Sequence, residues 1–298
     1  MNQATRYRAL DMLTSSCVPM LAKRPPYWRP SMAEPENRVW VPAWSWRAPI
    51  AIEDRPGQVT VLDSNANYLS AISTVEVAHG GLQHTGCIPF DPSLPGYWQM
   101  RRYPWQDPRI MSPLGTGGGR SDMVWLTTPT VQLLSQLAAD GYWPDVDVID
   151  SWTSPTRCRL RRWSDRIRSD RAAAIGHQNE PWLGQIKLGY SQAVTIMADG
   201  SLDKVHRPDW ARHIRAQAAA SVWRRGWSLV LAGRPLIGAG RIDELVLDRP
   251  TACQLWSRRA ARPAPPIVLD HESYSLGTFK AKGSLTYAEW AKGSVRRG

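Results

Sequence analysis

The chain has 298 residues, 43% hydrophobic and 21% charged, long enough to bury one large core or two modest ones. No apolar run approaches the roughly 18 residues that span a bilayer. The N-terminal MNQATRYRALDML lacks the uninterrupted apolar stretch of a secretory signal, so a soluble, cytoplasmic chain without a membrane partner is expected. The formal charge of +11 makes polyanions the natural partners.

Only six of the 37 basic residues are Lys, at positions 23, 187, 204, 280, 282 and 292. The bias to Arg, like the 16 Trp against two Phe, fits a GC-rich coding sequence as well as a function, so a Lys in a telling place carries more weight. Cysteines 17, 87, 158 and 253 form no CxxC pair and are expected as buried thiols in a reducing compartment. The six histidines are scattered too, so metal chemistry would have to use oxygen ligands.

Residues 1–57 form a Pro- and Trp-rich N-terminal segment of irregular structure and short or edge strands, in which Trp40, Trp44 and Trp46 are candidates for stacking on nucleic-acid bases. Val59-Thr60-Val61-Leu62 predicts a buried strand that delivers Asp63 at its C-terminal end, with a helix following through Tyr68, Leu69 and Ile72. Residues 78–122, rich in Gly and Pro, predict loops with short strands. GTGGGR at 115–120 lacks the GK[ST] ending of a phosphate loop and is expected as a flexible loop. Thr128-Pro129 opens a helix carrying Val131, Leu134 and Ala138, which Gly141 ends. DVDVID at 145–150 predicts a strand with one wet face, with Asp150 near its end.

Thr156 to Ala174 predicts a basic amphipathic helix with Leu160, Trp163 and Ile167 on its packed stripe and Arg on the other faces. Trp182 to Met197 predicts a second helix, so the two would form a hairpin suited to clamping phosphates. Asp209 to Trp227 repeats Ala211, Ile214, Ala218 and Val222 at helical spacing, with Gly226 near its stop. Strands are expected at Ser228–Ala232 and Leu236–Ile237. Arg241-Ile242-Asp243-Glu244 then leads into Leu245-Val246-Leu247, as in a hairpin with acids at its tip. The linker RRAARPAPP at 258–266 precedes LGTFKAKG at 276–283.

This order of elements resembles the palm and fingers core of family B DNA polymerases, nearest to the protein-primed branch, over roughly residues 55–285. VLDSNANYLSA at 61–71 is similar to the family's first palm motif, D-x-x-S-L-Y-P-S, with Ala66 in the place of Ser. IKLGYSQAV at 186–194 stands where the family has K-x-x-x-N-S-x-Y-G, with Ser191 in the place of Asn. RIDELV at 241–246 stands for the D-T-D-S hairpin, with Arg241 in the place of the first Asp, and LGTFKAKG resembles the LGxW/FK segment.

The resemblance implies an α+β fold: a polymerase palm, an antiparallel sheet with packed helices, bearing a two-helix fingers hairpin. The palm would occupy 58–155, with a loop-rich insertion, and 201–257, the fingers 156–200 and a primer-contacting segment 258–298. It implies Asp63 and Asp243 as metal ligands a few ångströms apart, with Glu244 restoring negative charge beside Arg241, and two Mg²⁺ or Mn²⁺ ions as cofactor. Tyr68 would lie under the incoming sugar, Lys187, Arg168 and Arg171 would meet the triphosphate, Tyr190 would stack on the base, and Lys280 and Lys282 would hold primer phosphates. The partners implied are primer-template DNA, deoxynucleoside triphosphates and a priming or replication protein of a phage or mobile element. Only 62 residues precede Asp63, so no proofreading domain is expected. Three readings follow: a template-directed DNA polymerase, a catalytically decayed polymerase-like protein that binds DNA ends or a replication partner, and a metal-dependent nuclease.

Overall fold

The computed structural model describes residues 35, 38–51, 53–115, 121–199, 205–257, 267, 269–270 and 275–295. The expectations for Cys17, for most of the 115–120 loop and for the 258–266 linker lie outside the described residues. The chain divides into two compact units: Met1–Val41, Tyr68–Arg102 and Ser121–Gln217, and Pro42–Asn67, Tyr103–Arg120 and Ala218–Gly298.

The second unit is built on an antiparallel sheet of five strands in the order β12-β3-β11-β10-β2. Its strands are β2 (Trp44–Arg47), β3 (Gln58–Ser64), β10 (Leu236–Arg241), β11 (Glu244–Asp248) and β12 (Phe279–Thr286). The β-branched run 59–62 makes β3 the central strand, between β11 and β12. Period-2 alternation sends Val59 and Val61 to one face, where with Ile237 and Val246 they pack under Ile50, Tyr287 and Trp290. Tyr287 and Trp290 belong to helix α7 (Tyr287–Val295), and helix α6 (Arg249–Ser257) follows β11 directly. On the other face, the end of helix α5 (Pro208–Leu231) approaches the sheet at Gly226. A methyl there would stand 3.2 Å from Leu236, 3.3 Å from Ile110 and 3.5 Å from Leu245.

Gly226 therefore serves close packing and does not stop the helix. α5 continues to Leu231, so Ser228–Leu231 is helical rather than a strand, and Ala232 lies in the turn. The helix ends at Gly233, whose φ of +71° lets the chain turn, with the Gly233 and Arg234 amides donating to the Val230 and Leu229 carbonyls. Trp223 and Trp227 of this helix stack with centroids 5.6 Å apart and meet Trp105 edge-on, and the Trp223 indole donates to the Met111 carbonyl.

The first unit carries a second five-stranded sheet, in the order β1-β7-β6-β8-β5, antiparallel except for β1 (Val39–Trp40) beside β7 (Met123–Thr127). Its other strands are β5 (Gln83–His84), β6 (Gly96–Arg101) and β8 (Val148–Thr153). β6 lies between β7 and β8, with Tyr97 and Trp98 fully buried on opposite faces. The Gly- and Pro-rich stretch 78–122, expected as loops with short strands, supplies this six-residue inner strand. β8 begins at Val148, so only the end of DVDVID is strand. The alternating acids misplace it because Asp145 and Asp147 precede the ladder.

Helix α1 (Asn67–Thr74) follows β3, and helix α2 (Thr128–Ala139) starts with Pro129 in its first turn and ends where Gly141 takes φ +78°. Its buried stripe uses Leu133 and Leu137 with Val131 and Leu134. The basic helix α3 (Arg161–Gly176) starts later than its pattern suggests. Arg157–Arg159 is instead strand β9, paired with β4 (Glu76–Ala78), because both arginines, two residues apart, fork onto Glu76 at 2.9 and 3.0 Å. Leu160, Trp163 and Ile167 are fully buried as the periodicity predicts. Helix α4 (Glu180–Asp199) follows after residues 177–179, with Asn179 Oδ1 accepting the Trp182 amide, and the two helices pack on one another.

The cysteines depart from expectation. Cys87 and Cys253 are exposed and Cys158 is half-buried on the short strand β9. Burial, then the charge of Asp209, pushes the Cys158 thiol up to about 11. A buried ion pair lies nearby in sequence to α5: Arg207 Nε donates to Asp209 Oδ1 at 2.6 Å, and Nη2 meets both Asp209 Oδ2 and the Ala78 carbonyl.

Candidate metal centre

Three segments of the second unit meet at the end of β3. Asp63 is the last but one residue of β3 and faces Glu244 of β11 on one side and Lys280 of β12 on the other as direct cross-strand partners. Asp243 sits in the turn between β10 and β11, and its carbonyl accepts the Ser64 amide at 2.9 Å. One carboxylate oxygen each from Asp63, Asp243 and Glu244 lies within 4.8 Å of the others. Asp63 is 2% exposed.

Local sequence explains how these residues are held. The chain leaves β3 through Ser64 and Asn65 and turns at Ala66, whose φ is +49°. Asn65 Nδ2 donates to the Asp270 carbonyl at 3.0 Å and to Thr278 Oγ1 at 2.9 Å. Asn67 Nδ2 donates to the Ile242 carbonyl at 2.8 Å, fixing the hairpin turn beside β3. These two amides were not singled out from the sequence. Their only signal was polar residues directly after a buried strand, where side chains commonly bond backbone.

Two lysines face the carboxylates. Lys282 Nζ is 3.0 Å from Asp63 Oδ1 and donates to Glu244 Oε1 at 2.6 Å, and Lys280 Nζ is 3.9 Å from Asp63 Oδ2. Partial burial would lower the Lys282 ammonium, but the hydrogen bond to Glu244 and the charges of Asp63 and Glu244 outweigh it and hold it above the usual lysine value. Lys282 sits at a β-bulge between Ala281 and Gly283, where β12 slips one residue against Val61. Arg241, at the end of β10 with φ +55°, is exposed. It lines a groove over the sheet with Trp46, Glu244, Lys282 and Trp290. Trp44, by contrast, is buried and donates to the Ser112 carbonyl at 2.9 Å.

The donor set suits a hard divalent cation, since every candidate ligand atom is a carboxylate oxygen. Metal–oxygen bonds of about 2.1 Å join oxygens up to about 4.2 Å apart across the ion, so a trio spread over 4.8 Å needs little contraction. The remaining residues singled out from the sequence lie in the first unit. Tyr68 is half-buried on α1, Tyr190 is buried and Lys187 exposed on α4, and on α3 Arg168 is exposed, 3.8 Å from Asp165, with Arg171 half-buried. Asp150 is also in that unit, paired with His84 at 2.7 Å.

No protein-family model and no curated protein matches the chain. Among solved structures, the orthorhombic crystal form of phi29 DNA polymerase is similar with a TM-score of 0.62 at 12% identity, covering 93% of this chain and 52% of that one. The fold resembles that of a DNA polymerase. The phi29 polymerase complexed with single-stranded DNA gives 0.61 at 14% identity over 94% and 52%, and its ternary complex with primer-template DNA and incoming nucleotide gives 0.58 at 12% over 94% and 53%. The chain spans about half the length of the phi29 polymerase. At these identities the likeness concerns the fold: a mixed α+β architecture with antiparallel sheets and packed helices. Among the described residues, no helix is long and apolar enough to cross a membrane.

Proposed function

We propose that the chain is a template-directed DNA polymerase of the family B type, nearest to the protein-primed branch, which transfers nucleotides with divalent metal. The carrying observation is the trio Asp63, Asp243 and Glu244, gathered within 4.8 Å at the end of a central strand in a polymerase-like fold. Asp63 and Asp243 would hold the metal and Glu244 would add charge. When bound, Mg²⁺ or Mn²⁺ supplies the positive charge that activates a primer hydroxyl and steadies the leaving pyrophosphate. Lys187, Arg168 and Arg171 are proposed to meet the triphosphate, Tyr190 the base and Tyr68 the sugar, the roles the family resemblance implies. Lys280 is proposed to hold a primer phosphate, and primer-template DNA and deoxynucleotides are the substrates.

One observation favours a second reading, a polymerase-like protein that binds DNA without catalysis. Lys282 and Lys280 already pair with Asp63 and Glu244, and a cation, Arg241, stands where the family has an acid. Primer extension with Mg²⁺ or Mn²⁺ separates the two. Incorporation by the wild type and not by Asp63→Ala supports the polymerase. DNA binding without incorporation under either metal would sink it in favour of the second reading, and release of nucleotides from labelled DNA would indicate a nuclease.

A further inference from the structure

We propose that the Lys282 ammonium takes the place of one divalent cation among these carboxylates, so that the site holds a single metal ion rather than two. The proposal rests on the polymerase reading and specifies the cation content of the same site.

Geometry is the first support. A metal shared between two carboxylates bridges one oxygen of each, and the ammonium does this, lying 3.0 Å from Asp63 Oδ1 and 2.6 Å from Glu244 Oε1. It is also held there by the backbone. Lys280 pairs directly opposite Asp63, and the bulge after Ala281 takes Lys282 out of the regular ladder with Val61. Gly283 follows at φ +151°, a conformation glycine adopts freely, so the chain can recover its pairing immediately after the lysine. A strand covalently tied on both sides of the cation holds it at no cost in translational freedom, unlike an ion drawn from solution.

Charge is the second support. The two ammonium groups cancel two of the three carboxylate charges. One divalent ion then leaves a single excess positive charge, the same balance that two divalent ions would give with the carboxylates alone. Two divalent ions together with both lysines would leave three, gathered around the buried Asp63 carboxylate. Asp63 and Asp243 would hold the one ion, while Glu244 stays with Lys282.

The test counts ions directly. Mn²⁺ is titrated into the full chain without DNA or nucleotide and bound ion is read by electron paramagnetic resonance, for wild type, Lys282→Met, Lys282→Arg and Asp63→Asn. The expected result is one tightly bound Mn²⁺ in wild type and Lys282→Arg, two in Lys282→Met and none in Asp63→Asn. Two ions in wild type would overturn the proposal whatever the variants do, including a Lys282→Met chain that does not fold. A folded Lys282→Met that still holds one ion would overturn it as well. Either result leaves the trio a metal site and the polymerase reading intact. Wild-type binding that Asp63→Asn does not abolish would remove the metal site itself, and both readings with it.

Discussion

Replacing Asp209 by Asn tests whether the ion pair at the start of α5 behaves as a buried charge pair. Arg207 is 3% and Asp209 1% exposed, and the guanidinium meets the carboxylate through both Nε and Nη2. The same guanidinium lies 4.4 Å over the Trp210 ring and donates to the Ala78 carbonyl at 2.8 Å. Asn keeps the shape and one acceptor but removes the charge, leaving an arginine that cannot shed its proton in a dry site. Breaking a buried pair from one side costs about 3–5 kcal/mol. For a unit of this size each kcal/mol moves Tm by about 2–4 °C, so Asp209→Asn is expected to lower Tm by about 10 °C. The double variant Arg207→Met/Asp209→Leu should recover much of this, because no charge is left buried. The Ala78 carbonyl would also keep the Trp210 indole as a donor, at 2.8 Å. Calorimetry of the three chains at neutral pH decides. A shift within about 3 °C for Asp209→Asn, or a double variant no better than the single, would refute the argument.

His213 and Gly226 yield two more outcomes. His213 is fully buried, with Nδ1 donating to the Asp209 carbonyl at 2.7 Å, and burial lowers its imidazole below the usual histidine value despite the opposing pull of Asp209. The folded form therefore binds its proton less readily than the unfolded form. Stability from this group is complete above the ordinary histidine value of 6.5 and is lost as pH falls below it. Melting curves from pH 7.5 to 5.5 should show a decline that His213→Asn flattens; an equal slope in both chains would exclude His213 as its source. At Gly226, alanine gains helix propensity of about 1 kcal/mol against a tight but yielding contact, so Gly226→Ala should lie within about 1 kcal/mol of wild type. Gly226→Val adds methyls against Leu236 and Ile110 and should cost about 2–3 kcal/mol in chemical denaturation; a neutral valine would mean the sheet does not constrain this face.

What could be read from the sequence follows from which forces are local. The run Val59-Thr60-Val61-Leu62 and the alanine stripe of α5 announce themselves because burial on one side repeats with the period of the element. The Arg241–Leu247 hairpin is likewise written in adjacent residues, so the positions of Asp63 and Asp243 at strand ends were legible. Arg157 and Arg159 were not, because two residues at period 2 vanish inside a longer run that also fits a helix. Their extended form depends on Glu76, far away in sequence. Lys282 was legible as a scarce lysine, but its place on Asp63 and Glu244 depends on a one-residue slip in β12 that no local pattern encodes. Gly226 misled for a related reason: a glycine that admits a neighbouring sheet looks, in one dimension, like one that ends a helix.

The amide of Asn67 that reaches the Ile242 carbonyl joins residues 175 positions apart. Closing a loop of that length costs roughly 4–5 kcal/mol of chain entropy before any contact repays it. Strand pairing at such range is slow, so the hairpin turn should dock beside β3 late in folding, after the intervening first unit has organised its own local helices. Until that docking, Asp63 has neither Glu244 nor the two lysines beside it, and nascent chains that end before residue 236 contain only one of the three acids. A ribosome-bound intermediate of this protein would therefore display its basic helices well before it could gather a divalent ion.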